Sequence, residues 1–238
     1  MRRLVVGVLG AALLGAVTAQ AADMPVKAPV YKAPPIKLYN WTGLYVGING
    51  GGLWGKSSFT YVGTATDVGG NNSGGLIGGT LGYNYQFPSN WVIGLEADWD
   101  WTSAQASNPC PNPAFNCNSK VQSIGTLRGR LGYAWDQWFL YGTGGFAWEN
   151  VKVETVNLAG VATPTSGTPT NGETKWQAGW TVGVGLEYGF WTNWSVKVEY
   201  LYADFGTHRY TVDNSLQVDS RQRENIVRAG VNYRFNWF

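Results

Sequence analysis

The chain has 238 residues, 44% of them hydrophobic and only 13% charged, with 33 Gly, 13 Trp and 13 Tyr. That mixture is poor in helix formers and rich in strand and turn formers, and no composition break marks a second globular unit. Seventeen basic against fifteen acidic residues give no bulk attraction to nucleic acid, which is excluded as a partner.

The chain opens as an export signal. Arg2 and Arg3 precede an apolar run from Leu4 to Val17, and Ala19-Gln20-Ala21 fits small-x-small cleavage, so residues 1–21 are expected to be removed. The run is shorter than the ~18 residues of a membrane-spanning helix, and no later segment is longer. Residues 22–40 carry Pro25, Pro29, Pro34 and Pro35 with Lys27, Lys32 and Lys37 between them. They read as an extended periplasmic leader, with contact to the cell wall as the sharper alternative.

From Trp41 the expected domain runs to residue 238 with eight strand candidates, at about 41–54, 74–87, 91–102, 121–135, 138–150, 175–190, 194–205 and 223–237. The 175–190 segment is the clearest. From Trp176 to Phe190 every even position is apolar or aromatic, while the odd ones are small or polar, a period of two that defines an extended strand. Soluble strands usually stop at about 5–6 residues, whereas a tilted bilayer crossing explains a longer one. Connections alternate between tight turns (87–90, 135–137, 191–193) and long polar stretches near 55–73, 103–120, 151–174 and 206–222. This pattern predicts an all-β, eight-stranded antiparallel up-and-down transmembrane β-barrel in the outer membrane, with both termini periplasmic and the long loops extracellular. The thirteen Trp fall at the two ends of these strands, Trp41 among them, as two interfacial belts would require. A secreted β-sandwich is the rival fold, but a solvated face has room for long side chains and gives no reason for so many glycines.

Several motifs resemble chemistry. Gly50 to Ser57 matches G-x-x-x-x-G-K-[ST], yet the residues after it, Ser58 to Gly63, have β character where a phosphate loop needs a helix. Cys110 and Cys117 sit in a polar, proline-containing stretch and read as a disulfide pinning an extracellular loop; two thiols cannot complete a four-ligand metal site. His208, the only histidine, lies in the last long connection near Ser215 and Ser220 and is read as surface, with haem ligation beside Tyr210 or a serine–histidine pair as alternatives. No catalytic, cofactor or metal residues are assigned.

The phase opposite the lipid face carries Glu96, Asp98, Asp100, Arg128, Arg130, Glu187, Lys197, Glu199, Arg228 and Arg234. Five acids against five bases predict mutual pairing across a narrow lumen, which would plug the barrel. A cation held by Glu96, Asp98 and Asp100 is the alternative use of those carboxylates.

The export signal running into Ala21-Ala22-Asp23-Met24-Pro25-Val26-Lys27-Ala28-Pro29, then Trp41-Thr42-Gly43-Leu44-Tyr45-Val46-Gly47, Leu131-Gly132-Tyr133-Ala134-Trp135 and Gly230-Val231-Asn232-Tyr233-Arg234-Phe235, resembles the small alphaproteobacterial outer-membrane surface proteins. These are the RopB-type "porin family" branch of OmpA/OmpX-like eight-stranded barrels. The resemblance implies an abundant envelope protein and surface antigen with no catalytic residues; some members are described as porins or haem binders. It also implies a terminal aromatic signal for the barrel-assembly machinery, here Tyr233 with Phe235 or the out-of-phase Phe238. Expected partners are outer-membrane lipid, lipopolysaccharide and that machinery. A narrow diffusion channel and a loop-mediated binder of haem or a host ligand stand as alternative functions, and the oligomeric state is left open.

Overall fold

A computed structural model describes residues 39–61, 67–109, 115–157, 173–213 and 216–235. Their strands are β1 (Gly43–Tyr61), β2 (Asp67–Gln86), β3 (Trp91–Thr102), β4 (Gln105–Pro109), β5 (Phe115–Trp135), β6 (Trp138–Asn157), β7 (Glu173–Trp191), β8 (Trp194–Asp213) and β9 (Leu216–Phe235). All pairings are antiparallel, and β1 pairs with both β2 and β9, which closes the ring. The short β4 pairs with β2 and β5, the two neighbours of β3, so β3 and β4 form one wall of an eight-walled barrel.

The stagger of the ring is set by the pairs themselves. Passing from Gly55 through Glu224, Ala203, Thr181, Gly145, Arg128, Glu96 and Gly82 returns to β1 at Tyr45, ten residues from the start. A shear of this size tilts the strands by roughly 40° and leaves an interior that side chains can fill.

One end of the barrel is closed by tight turns. Asn90 donates its backbone N–H to the Phe87 carbonyl at 2.9 Å and ends the 88–90 loop with φ at 66°, while Asp136, in the two-residue turn between the paired Trp135 and Trp138, has φ at 51°; both are left-handed, as tight hairpin loops require. The opposite, loop end differs from the sequence reading. Most of the stretches expected to be loops are strand: β8 and β9 run on to Asp213 and Leu216, and β6 and β7 to Asn157 and Glu173. Above the lipid both faces of a hairpin meet water, so the apolar alternation disappears while the backbone ladder continues. Walls of 19–21 residues are twice the 9–11 that a tilted crossing requires.

The outer face is apolar in mid-wall, with Ile48, Ile77, Leu95, Leu127 and Val198 all exposed. Aromatic contacts ring both ends. Trp91–Tyr133, Trp138–Tyr188 and Trp194–Tyr233 lie toward the turns, and Trp99–Trp176 and Trp180–Tyr202 toward the loops. Trp41 is the exception. Instead of standing in a belt it is fully buried inside the turn end, where its indole N–H donates to the Asp136 carbonyl at 3.0 Å. Tyr39 is buried there as well, so the barrel begins inside what reads as leader. Residues 1–38, which carry the expected signal and nearly all of the expected leader, lie outside the described residues, as do Trp237 and Phe238.

Candidate functional site: the charged lumen

Above a floor at the turn end the inward face stacks in three layers, readable on β9 alone as Arg228, Ile226 and Glu224 in five residues. At the turn end is an aromatic floor. Phe139 packs on Trp41 with centroids 5.2 Å apart, and the Arg234 guanidinium lies 4.6 Å from the Trp41 ring and donates to the Tyr39 hydroxyl at 3.0 Å.

Above the floor the structure brings all ten sequence-derived charges together, each almost wholly buried. Arg128 bridges Glu96 at 2.6 Å, Asp98 at 2.8 Å and Glu199 at 2.9 Å. Arg228 reaches across the lumen to Asp98 at 2.9 Å, Asp100 at 2.6 Å and Glu199 at 2.8 Å. Arg130 joins Glu96 at 3.3 Å to Glu187 at 2.9 Å, Lys197 meets Glu96 at 2.9 Å, and Arg234 approaches Glu187 at 3.6 Å. Glu96, Asp98 and Asp100 are therefore engaged by protein cations, which removes the metal reading of that trio.

Neutral side chains that sequence reasoning missed complete the network. The Tyr45 hydroxyl accepts from Arg130 at 2.6 Å and donates to Glu96 at 2.8 Å, and the Tyr141 hydroxyl donates to Glu199 at 3.1 Å under an Arg130 guanidinium 3.8 Å from its ring. Thr126 donates to Asp98 and Ser195 to Glu187, at 2.6 Å and 2.5 Å. Inward glycines make room: a Cβ on Gly82 would strike the Tyr45 ring, and one on Gly185 the Tyr141 ring. The signal was available, since these residues share the phase of the charges. What was absent was a reason to choose polar partners from a neutral residue.

The third feature is an apolar layer on the loop side of the network. Leu53, Leu76, Ile124, Ala147, Leu201 and Ile226 form one buried cluster across the lumen. Beyond it lie two further inward acids, Glu149 and Glu224, both buried and both overlooked in the sequence.

Other candidate motifs disperse. Gly50 to Ser57 is continuous strand, paired with β2 on one side and β9 on the other, so no helix N-terminus offers amides to a phosphate. His208 lies on the β8 extension opposite Ser220, but its Nε2 meets the Phe205 carbonyl at 2.8 Å and the Ser220 hydroxyl has no hydrogen-bond partner. Cys110 and the side chains of Cys117 and Tyr210 fall outside the described residues. Of the terminal aromatics, Tyr233 and Phe235 are in edge-to-face contact at 5.0 Å. Well beyond the lipid, Arg209 and Asp219 pair at 2.7 Å, and the guanidinium holds the Asp219 carboxyl below its ordinary range.

A closed ring of tilted strands with an apolar exterior, aromatic ends and a charged interior defines a β-barrel of the outer membrane. Residues 9–235 match the family described as outer membrane protein beta-barrel domain, and the chain belongs to that family. It is 38% identical over 240 residues to the 31 kDa outer-membrane immunogenic protein of Brucella melitensis, covering 94% of this chain and 96% of that one. It is 30% identical to the 22 kDa outer membrane protein of Rhizobium leguminosarum, covering 86% and 82%. The crystal structure of OprG from Pseudomonas aeruginosa shares the fold at 13% identity, with a TM-score of 0.50 over 82% of this chain and 98% of that one.

Proposed function

We propose that this protein is a structural barrel and surface antigen of a Gram-negative envelope, with a lumen that does not conduct and no catalytic role. The single observation that carries this reading is the stacking of a ten-charge network on an apolar layer, which interrupts any continuous polar path from one end to the other. The immunogenic character named for its Brucella relatives fits an exposed loop end, and the tight turns then face the periplasm. Reconstituted into planar bilayers, the purified protein is expected to give no stable single-channel steps above the lipid baseline. Large, reproducible steps would make it a diffusion channel instead.

A second observation favours lipopolysaccharide as the lipid partner. On the outer wall, just beyond Trp54, a groove of about 530 Å³ is lined by Lys56, Asn71, Ser73, Tyr202, Arg223 and Asn225. Lys56 and Arg223 are paired across β1 and β9, and Arg223 is also 3.5 Å from Asp204 on β8, a carboxylate that it shares with Arg221. Lys56, Arg221 and Arg223 against the single Asp204 carboxylate leave the patch net positive, which suits an acidic headgroup of the outer leaflet. Replacing Lys56 and Arg223 together with Ala should reduce the lipopolysaccharide that co-purifies with the barrel while leaving its melting temperature unchanged.

A further inference from the structure

The two acids beyond the apolar layer are treated quite differently from the five below it. Every carboxylate of the lower network lies within 4 Å of a guanidinium or ammonium group. Glu149 and Glu224 are 0% and 1% exposed, yet no Lys or Arg is in ion-pair range of either among the described residues. Nor can the remaining loop residues supply one, because 62–66, 110–114, 158–172 and 214–215 contain no Lys, Arg or His. The two stand on the same side of the apolar layer, Glu149 two residues beyond Ala147 and Glu224 two residues before Ile226 on the antiparallel course of β9, and the charge of Glu224 acts on Glu149. An isolated buried carboxylate costs several kcal/mol, so this arrangement calls for a cation or a proton from solution.

The surroundings favour a cation. Neither carboxylate oxygen of Glu149 has a hydrogen bond, and Glu224 Oε2 and Asn72 Oδ1 are also without a partner. Asn72 donates its amide to Glu224 Oε1 at 2.5 Å, which turns its own carbonyl oxygen the same way as the free carboxylate oxygen. Both of those oxygens converge over Gly55, where a Cβ would collide with each, so the glycine keeps the cradle open. Gln222, fully buried and two residues from Glu224 on the same face, leaves Oε1 unpartnered as well. Oxygen donors from two carboxylates and neutral amides are what a hard divalent ion takes; calcium accepts 6–8 such ligands with loose geometry, whereas magnesium demands a strict octahedron. We propose that the lumen beyond the apolar layer holds a calcium-type cation between Glu149 and Glu224, which would tie β6 to β9 at the loop end. A divalent ion balances two carboxylates without residual charge.

The test uses the refolded full-length barrel in detergent, stripped with chelator and titrated with calcium chloride by calorimetry, alongside E149Q, E224Q and the double variant. The expected result is one ion bound per wild-type barrel, with a melting temperature raised by about 5 °C or more at saturating calcium. Each single Gln variant should lose at least tenfold in affinity, and the double variant should show no response. Each Gln is isosteric, and the singles suffice should the double fail to refold. Two results overturn the proposal: calcium binding that survives in E149Q and E224Q, or a wild-type barrel that neither binds nor responds. In the latter case, a higher cation-free melting temperature for E149Q would assign the pair to a shared proton.

Discussion

Replacing Arg128 and Arg130 together with Ala is expected to lower the unfolding free energy by more than any surface change, by about 3–5 kcal/mol for each uncompensated buried charge. Arg128 holds Glu96, Asp98 and Glu199, and Arg130 holds Glu96 and Glu187. The loss comes less from the ion pairs themselves, whose attraction is offset by desolvation, than from leaving the five carboxylates of the network with only Lys197, Arg228 and Arg234 as counter-charge. Urea unfolding followed by Trp fluorescence in detergent measures it. An unchanged midpoint would mean that the guanidinium groups do not hold these acids. Combining Arg128→Met with Glu199→Gln should recover part of the loss, because it removes a charge of each sign. Conductance of the double Ala variant should stay near wild type, since Leu53, Leu76, Leu201 and Ile226 remain across the lumen.

The second large effect concerns a residue with no side chain. Gly185→Val is expected to cost about 1–3 kcal/mol, because its Cβ would lie within the Tyr141 ring. Displacing that ring also uncovers Arg130 and removes the hydrogen bond to Glu199. Gly142, on the lipid face with nothing nearer than 4.0 Å to an added Cβ, supplies the contrast. Gly142→Ala should be neutral or slightly stabilising, since Gly in a strand costs chain entropy. Heat-induced gel-mobility shifts of the two variants side by side check both statements. Equal melting points would show that the glycine-rich inner face is not there to admit the tyrosines.

Much of this fold was legible because strand alternation is local. From Trp176 to Phe190 the even residues face outward, while Gln177, Thr181, Gly185 and Glu187 face the lumen, and the ten-charge set comes from carrying that phase around the ring. The same rule would have found Glu149 and Glu224, which share the phase of Thr143 and Arg228, had it been applied to the strand ends. Trp41 could not be placed this way. It precedes β1 and has no alternation to guide it, and its position is set by the Asp136 carbonyl and the Arg234 guanidinium, from turns and strands far along the chain.

Amino-acid order alone therefore determined the faces, the turns, the approximate strand count and the ten charges of the lower network, because each depends on neighbours within a few residues. Tertiary structure decided which charge meets which. Glu96 faces Arg128 across adjacent strands, as reading neighbouring segments suggests. The bonds from Arg228 to Asp98 and Asp100 cross the barrel, and they exist only because the ring closes with a ten-residue stagger on a lumen one side chain wide. The same closure brings Glu149 and Glu224 to one side of the apolar layer with no Lys or Arg in ion-pair range among the described residues. No local pattern records shear, so no local pattern could foretell that pair.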